Sequence, residues 1–232
     1  MTFRFAGAAV LASLACSAGN KPETPDNRPA AMSDTSAWLT LFDGSSTSAW
    51  RGYQMDSFPG GWRIDDGSLV RAADAGDIIT RDQFSDFELE LEWKVGPGGN
   101  SGIMYRVTEA DSSTYRTGPE YQILDDAAHR DGQNRLTSAG SAYGLYAAPA
   151  GIVKPAGEWN STRIVARGAH VEHWLNGQKV AEYELWSPDW EAKVKASKFV
   201  EWSGYGRSPR GHIALQDHGD RVEFRSIRIR EL

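Results

Sequence analysis

The chain has 232 residues, 40% hydrophobic and 11% aromatic, and 31 Asp and Glu against 25 Lys and Arg give a net charge of −6. That composition excludes a disordered chain, and the length suits an export segment followed by one domain of about 200 residues. An acidic chain with no basic run excludes nucleic acid and a polybasic membrane patch, because phosphate binding needs clustered Lys and Arg.

The N-terminus reads as an export signal. Arg4 supplies the positive charge, and the apolar run from Phe5 to Ala15 is too short to span a bilayer. The only cysteine, Cys16, follows Leu14 and Ala15. This resembles the lipidation site of bacterial lipoproteins, with Ser13 in the place usually filled by Leu. The expected division is 1–16 signal peptide, 17–37 flexible tether rich in Pro, Asn, Asp and Ser, and 38–232 folded domain. Within that domain there is no cysteine for a disulfide, a thiolate metal site or a nucleophile.

The domain opens on a strand and turn in "WLTLFDGSSTSAW". From there the dominant period is two. In "FELELEWKV", Phe87, Leu89, Leu91, Trp93 and Val95 alternate with Glu88, Glu90, Glu92 and Lys94, which reads as a half-buried strand with one solvated face. In "GGNSGIMYRV", Ile103, Tyr105 and Val107 share one face, and Met104 and Arg106 the other; in "GPEYQILDD", Tyr121 and Ile123 alternate with Glu120 and Gln122. The loop "LDDAAHRDGQN" carries Asp125, Asp126, His129 and Asp131, oxygen and nitrogen groups fit to bind a hard cation such as calcium or to supply a base, although an Asp-rich turn forms without either. "VKPAGEWN" adds Lys154 and Trp159, the latter a stacking platform or a sandwich lid. Arg167-Gly168 and Asn176-Gly177 mark two hairpins, and residues 188–199 one short helix with Pro188 near its start. "GHIALQDHGD" sets Ile213 and Leu215 against His212, Gln216 and His218, and the C-terminal strand alternates with a slip near Ser226.

The class is all-β: two curved antiparallel sheets fit better than a closed barrel. Arg106, Glu120, Gln122, His212, Gln216 and His218 occupy the polar parity of three strands. Convergent amide, carboxylate and guanidinium groups match sugar hydroxyls, which both donate and accept. A one-residue bulge would reverse that parity, and the glycines before Ser101 invite one. No G-x-S-x-G, H-E-x-x-H, P-loop or dinucleotide fingerprint is present.

The segments quoted above, with "GGWRIDDGSLV" and "GHIALQDHGDRVEFRSIRIREL", run in uninterrupted order from about residue 38 to 232. Together they resemble the 3-keto-disaccharide hydrolase domain family, which implies a concanavalin A-like fold, a jelly-roll sandwich of two antiparallel sheets, and cleavage of glycosides oxidised at carbon 3. The residues matching the family's polar motifs are Asn100, Arg106, Glu120, Gln122, Asp125, His129, Tyr143, Lys154, Trp159, Gln216, Asp217 and His218. "HRDG" at residues 129–132 departs from it, since many relatives carry Pro after the histidine.

As an enzyme, the chain would take Glu120, His129 and His218 as catalytic groups, and Asn100, Arg106, Gln122, Tyr143, Lys154, Trp159 and Gln216 as substrate contacts. Asp125 is the candidate metal ligand and Cys16 the lipidation site. A base removes the acidic hydrogen on carbon 2 beside the 3-keto group, the group on carbon 1 leaves, and water adds back. Two-carboxylate glycoside hydrolysis is the rival mechanism. A non-catalytic lectin-like carbohydrate-binding module and a structural envelope lipoprotein are the rival functions. The expected partner is a carbohydrate, with membrane contact only through a lipid anchor on Cys16, and the sequence does not fix an oligomeric state. Replacing Cys16 by Ala should move the protein from the membrane to the soluble fraction or stall its processing; unchanged fractionation and gel mobility would refute the anchor.

Overall fold

The computed structural model describes residues 1–3 and 37–232. The chain divides into two units, Met1–Ser33 and Asp34–Leu232, and the fold is that of the second. Cys16 and the tether over residues 17–36 lie outside the described residues.

Two antiparallel sheets form the domain. The larger contains β1 (Leu39–Phe42), β3 (Trp62–Asp65), β4 (Ser68–Arg71), β6 (Phe87–Val95), β9 (Asn160–Arg167), β10 (His170–Leu175), β11 (Gln178–Glu184) and β13 (Val222–Glu231). Its order is β11-β10-β9-β6-β13-β4-β3, with β1 also on β13. The smaller contains β2 (Trp50–Gly52), β5 (Ile78–Thr80), β7 (Asn100–Val107), β8 (Glu120–Leu124) and β12 (His212–Leu215), in the order β2-β5-β12-β7-β8. The one α-helix among the described residues is α1 (Pro188–Lys195).

The period of two places the core. Phe87, Leu91 and Trp93 of β6 are buried against Ile103, Ile123, Ile213 and Leu215 of the smaller sheet, as the alternation predicts. On the outer face of β6, Glu88, Glu90 and Glu92 meet Arg230, Arg228 and Arg225 of the neighbouring β13. The glutamate row is therefore a ladder of ion pairs: those of Glu90 and Glu92 are part-exposed and worth roughly 0–1 kcal/mol each, while Glu88 is buried between Arg230 and Arg163. Both expected hairpins form. Asn176 and Gly177 have φ of 49° and 80°, the left-handed pair a tight hairpin turn requires. The expected slip in the last strand is a bulge between Arg225 and Arg228, with Ser226 at φ 52°, and it keeps Val222, Phe224, Ile227 and Ile229 all inward.

The predicted helix over 188–199 divides in two. Ser187 caps α1 by accepting from the Trp190 N–H, and Trp190 and Val194, one turn apart, are its buried stripe. Ser197 then caps a separate 3-10 turn, Lys198–Glu201, by accepting from the Phe199 N–H. Aromatic rings stack beneath both pieces: Tyr146 on Tyr183 at 4.6 Å, Tyr183 on Trp190 at 5.5 Å, Trp190 on Tyr205 at 6.0 Å and Tyr205 on Phe199 at 4.1 Å.

One polar cluster crosses the core. His173 of β10 is fully buried, with Nδ1 3.1 Å from the Gly140 carbonyl and Nε2 3.1 Å from the Tyr105 hydroxyl of β7. The Tyr183 hydroxyl lies 3.4 Å from the same Nε2 and against Tyr105. Only a proton on Nδ1 satisfies a carbonyl, so Nε2 accepts and the ring is neutral. Burial pushes its pKa down to about 4. A His pKa depressed on folding contributes stability that is present above its ordinary value near 6.5 and lost as pH falls toward 4. Thermal melts should therefore show a drop across this window, and His173→Leu, less stable throughout, should lose that part of the pH dependence. A parallel pH profile for both proteins would contradict the assignment.

Candidate functional site

The outer face of the smaller sheet carries a buried row of polar side chains, and the strand pairing sets what stands in it. Gly102 of β7 is paired with Gln122 of β8, and on its other side the Gln216 N–H donates to the Gly102 carbonyl. One strand further, Leu215 pairs with Ile78, so Gln216 stands beside Asp77. The row across the face is thus Asp77, Gln216, Gly102, Gln122. At ~4.8 Å per strand it spans roughly 14 Å, longer than one pyranose ring. The adjacent row is Ile79, Ala214, Met104, Glu120. Asn100 follows Gly102 on the same parity.

Gly102 is the centre of this arrangement. A Cβ at that position would collide with Oε1 of Glu120, so the carboxyl occupies space that only glycine leaves open. Glu120 is 8% exposed, and no hydrogen bond reaches its carboxyl among the described residues. Burial pushes its pKa up to about 8, against the pull of Lys198 and with help from Asp77 and Asp131. Around it, Oδ1 of Asn100, Oε1 of Gln122 and Oε1 of Gln216 are buried without hydrogen-bond partners. Buried amide oxygens normally find donors, since leaving one unpaired costs ~1–3 kcal/mol. Three such oxygens beside an unpaired carboxyl are what a site for a ligand rich in hydroxyl groups looks like.

A wall rises beside β8. Residues 138–146 cover its open edge: Gln122 N–H donates to the Ser141 carbonyl, Gly140 N–H to Gln122, and Tyr143 N–H to the Glu120 carbonyl. Lys198 Nζ lies 4.6 Å from the Tyr143 ring centroid and forms no ion pair among the described residues. The wall continues from Phe199 to Trp202 at 5.6 Å and from Trp202 to Tyr115 at 5.4 Å. At the opposite end, the Asp77 carboxyl accepts from the Thr114 hydroxyl and from the Asp217 N–H at 2.8 Å. Burial raises its pKa, and the exposed His218 is close enough to pull the other way. Asp217 pins the preceding turn by accepting from the Ala75 and Gly76 N–H groups and from Arg71.

Glu120, Gln122 and Gln216 therefore share one face as their parity predicts, and Asn100, expected from the family resemblance, stands with them, with Tyr143 in the wall and His218 near Asp77. Several expected members do not join them. Arg106 is removed by a bulge: Ala214 pairs with Met104 but His212 with Val107, so β7 carries one extra residue there, and Arg106 has φ 54°. Met104 and Val107 consequently share the outer face with Ile79 and Ala214, against the expected placing of Val107 opposite Met104. The Arg106 guanidinium turns away to the Ser85 and Gly168 carbonyls at 2.8 Å each, tying β7 to two turns of the larger sheet. Gly211 makes room, since a Cβ there would strike the Arg106 backbone.

Lys154 and Trp159 also lie elsewhere. Lys154 Nζ donates to the Trp159 carbonyl at 2.8 Å, and the Trp159 ring sits between Arg225 at 4.1 Å and Lys94 at 4.9 Å on the outer face of the larger sheet. His129 accepts from the Asp131 N–H through Nδ1, while the Tyr143 hydroxyl approaches Asp131 at 3.5 Å. The His212 ring is held by the Thr80 carbonyl at 2.7 Å and Gln83 at 3.1 Å.

Asp125 does not gather a cation site: one oxygen accepts from the Gly98 N–H at 2.8 Å and the other from the Ala127 N–H at 3.1 Å, which makes it a turn anchor. Among the described residues, ligand atoms of three His, Cys, Asp or Glu side chains come within 4.8 Å only at His170, Glu172 and Glu182. There Lys179 already bridges the two glutamates at 3.2 and 2.6 Å. A cavity of about 680 Å³ lies on the larger sheet among Glu90, Glu92, Arg163 and Arg228. Those carboxylates are paired with arginines, unlike Glu120. Sequence reading missed Asp77, Lys198 and Tyr115, which lie on short or irregular segments where no alternation marks a face.

Comparison with known proteins shows the family and the fold. The 3-keto-disaccharide hydrolase of Bacteroides thetaiotaomicron is 37% identical over 231 residues, 86% of this chain and 80% of that protein. A crystal structure of a candidate glycosyl hydrolase from Parabacteroides distasonis superposes with a TM-score of 0.77 at 32% identity, covering 84% of this chain and 94% of the other. The catalytic domain of a Thermotoga petrophila laminarinase shares the fold alone, with a TM-score of 0.50 at 12% identity over 84% of this chain and 98% of the other. The family model of the 3-keto-alpha-glucoside-1,2-lyase-like domain matches residues 37–230, and the chain belongs to that family.

Proposed function

We propose that this chain cleaves the glycosidic bond of 3-keto-glycosides on the sheet face over Gly102, in the cell envelope after export. The observation that carries the reading is the unpaired Glu120 carboxyl set among three unpaired amide oxygens. The amides of Asn100, Gln122 and Gln216 would accept from and donate to ring hydroxyls. With a pKa near 8, Glu120 holds its proton at neutral pH and is suited to give it to the leaving oxygen.

In this reading His218 removes the proton from carbon 2, the C–H electron pair moves onto the 3-keto group as an enolate, and its return forms the C1=C2 bond as the C1–O bond breaks. The Glu120 proton goes to the departing oxygen. Lys198 takes the part of the cation facing the enolate, which Arg106 and Lys154 cannot play from their positions. Water then adds across the double bond, returning a proton to carbon 2 and a hydroxyl to carbon 1. Release before hydration would give the unsaturated sugar instead.

Glu120→Gln should lower turnover of a 3-keto-disaccharide by roughly 10²-fold or more, measured as released monosaccharide or as enone absorbance. The wild-type kcat/KM should fall as pH rises through about 8, and the residual activity of the variant should lack that limb. Retained turnover in the variant, or binding of the keto-sugar with no turnover in either protein, would refute the catalytic role.

Stability should move the other way. A carboxyl whose pKa is raised from 4.5 to about 8 costs nothing below 4.5 and destabilises the fold increasingly as pH rises toward 8. At ~1.4 kcal/mol per unit the cost is no more than about 5 kcal/mol. Melts at pH 8.5 should therefore show Glu120→Gln at least as stable as wild type, with the gap closing near pH 4.5.

Gly102→Ala should abolish most turnover with a smaller effect on melting, because the new methyl group meets the movable end of Glu120. Wild-type kinetics in this variant would show that the carboxyl position is not critical.

A further inference from the structure

The polar row does not end over the reacting ring. At its Asp77 end lies a separate hollow of about 250 Å³, lined by Tyr53, Met55, Asp77, Ser112, Ser113 and Tyr115. We infer that this hollow is the subsite for the leaving-group sugar, the second ring of a disaccharide; the inference rests on the cleavage proposed above.

Three observations carry it. First, position: Asp77 shares a strand row with Gln216 and Gln122, so a ligand over Gly102 that extends along the row enters the hollow directly. The row is roughly 14 Å long, which leaves room for two rings and is more than one needs.

Second, chemistry. Tyr115 is half-exposed and backed by Trp202 at 5.4 Å, so its ring is held in place as a stacking surface. Tyr53 is fixed from behind, its hydroxyl donating toward the Thr108 and Asp111 carbonyls, while its ring packs on the Ile79, Met104, Val107 and Ala214 patch. The Asp77 carboxyl accepts one hydrogen bond on each oxygen, from Asp217 N–H and Thr114, and each oxygen keeps a free lone pair for a ring hydroxyl. Ser112 and Ser113 add hydroxyls at the mouth. An apolar platform faced by a carboxylate and hydroxyls is the chemistry of a neutral pyranose, not of an anion or a hydrocarbon.

Third, placement: Asp77 and Glu120 stand in adjacent rows toward opposite edges of the same sheet face, near enough for the charge of Asp77 to raise the Glu120 pKa. A sugar lying between them would touch both, with its glycosidic oxygen toward Glu120.

The test compares two substrates with the same reacting ring, a 3-keto-disaccharide and the methyl 3-keto-glucoside, on wild type, Tyr115→Ala and Ser113→Trp. The ratio of kcat/KM for the disaccharide over the methyl glycoside should fall roughly tenfold or more in each variant. Ser113→Trp adds bulk at the mouth of the hollow and carries the test if Tyr115→Ala unsettles Trp202. An unchanged ratio in the folded variants overturns the subsite while leaving the reaction intact. Wild-type turnover of the methyl glycoside establishes the reaction independently of the hollow. No wild-type turnover of either substrate overturns the reaction and the subsite with it.

Discussion

A carboxyl group kept from water with no hydrogen-bond partner costs free energy, and much of this domain is arranged around one that is. Glu120 stays in place because Gly102 gives it room and because residues 138–146 seal the edge of β8. That sealing segment is fixed in turn by His173, whose Nδ1–H reaches the Gly140 carbonyl through the core. The stack from Tyr146 to Phe199 supports the turn that carries Lys198. Core packing on one side of the sheet thereby sets the electrostatics on the other. A surface glutamate would have none of this context and would ionise at its ordinary pKa.

The two faces of the sandwich treat charge in opposite ways. On the larger sheet, each glutamate of β6 has an arginine of β13 beside it, and the pairs of Glu90 and Glu92 remain partly in water. On the smaller sheet the carboxyl and amide oxygens are left without protein partners. The first arrangement is satisfied in the free protein and gives solubility. The second is satisfied only when something else supplies donors, which is the difference between a surface and a site.

The fold was legible because alternation is a local signal: Phe87, Leu91 and Trp93 had to face inward whatever their neighbours did. The convergence of Glu120, Gln122 and Gln216 was legible for the same reason, since no irregularity intervenes between Gly102 and the strands beside it. Arg106 was misplaced because a bulge shifts parity, and the glycine that permits it, Gly211, sits on a different strand far along the chain. Trp159 carried no signal separating one sheet's outer face from the other's, because both present polar residues at period two. Asp77 is recognisable only through its pairing neighbour, since Leu215 opposite Ile78 is a long-range fact of topology.

The aromatic stack has an optical consequence. Tyr146, Tyr183 and Tyr205 lie within 6.3 Å of Trp190, close enough for excitation absorbed by the tyrosines to pass to the indole. Trp190 is fully buried and fixed, so its emission is a steady internal reference. Trp202, half-exposed between Tyr115 and Phe199, stands beside the proposed sugar site. Of the nine tryptophans, Trp190 is thus an indole blind to that site and Trp202 one that reports on it, so replacing one of them at a time separates their two signals.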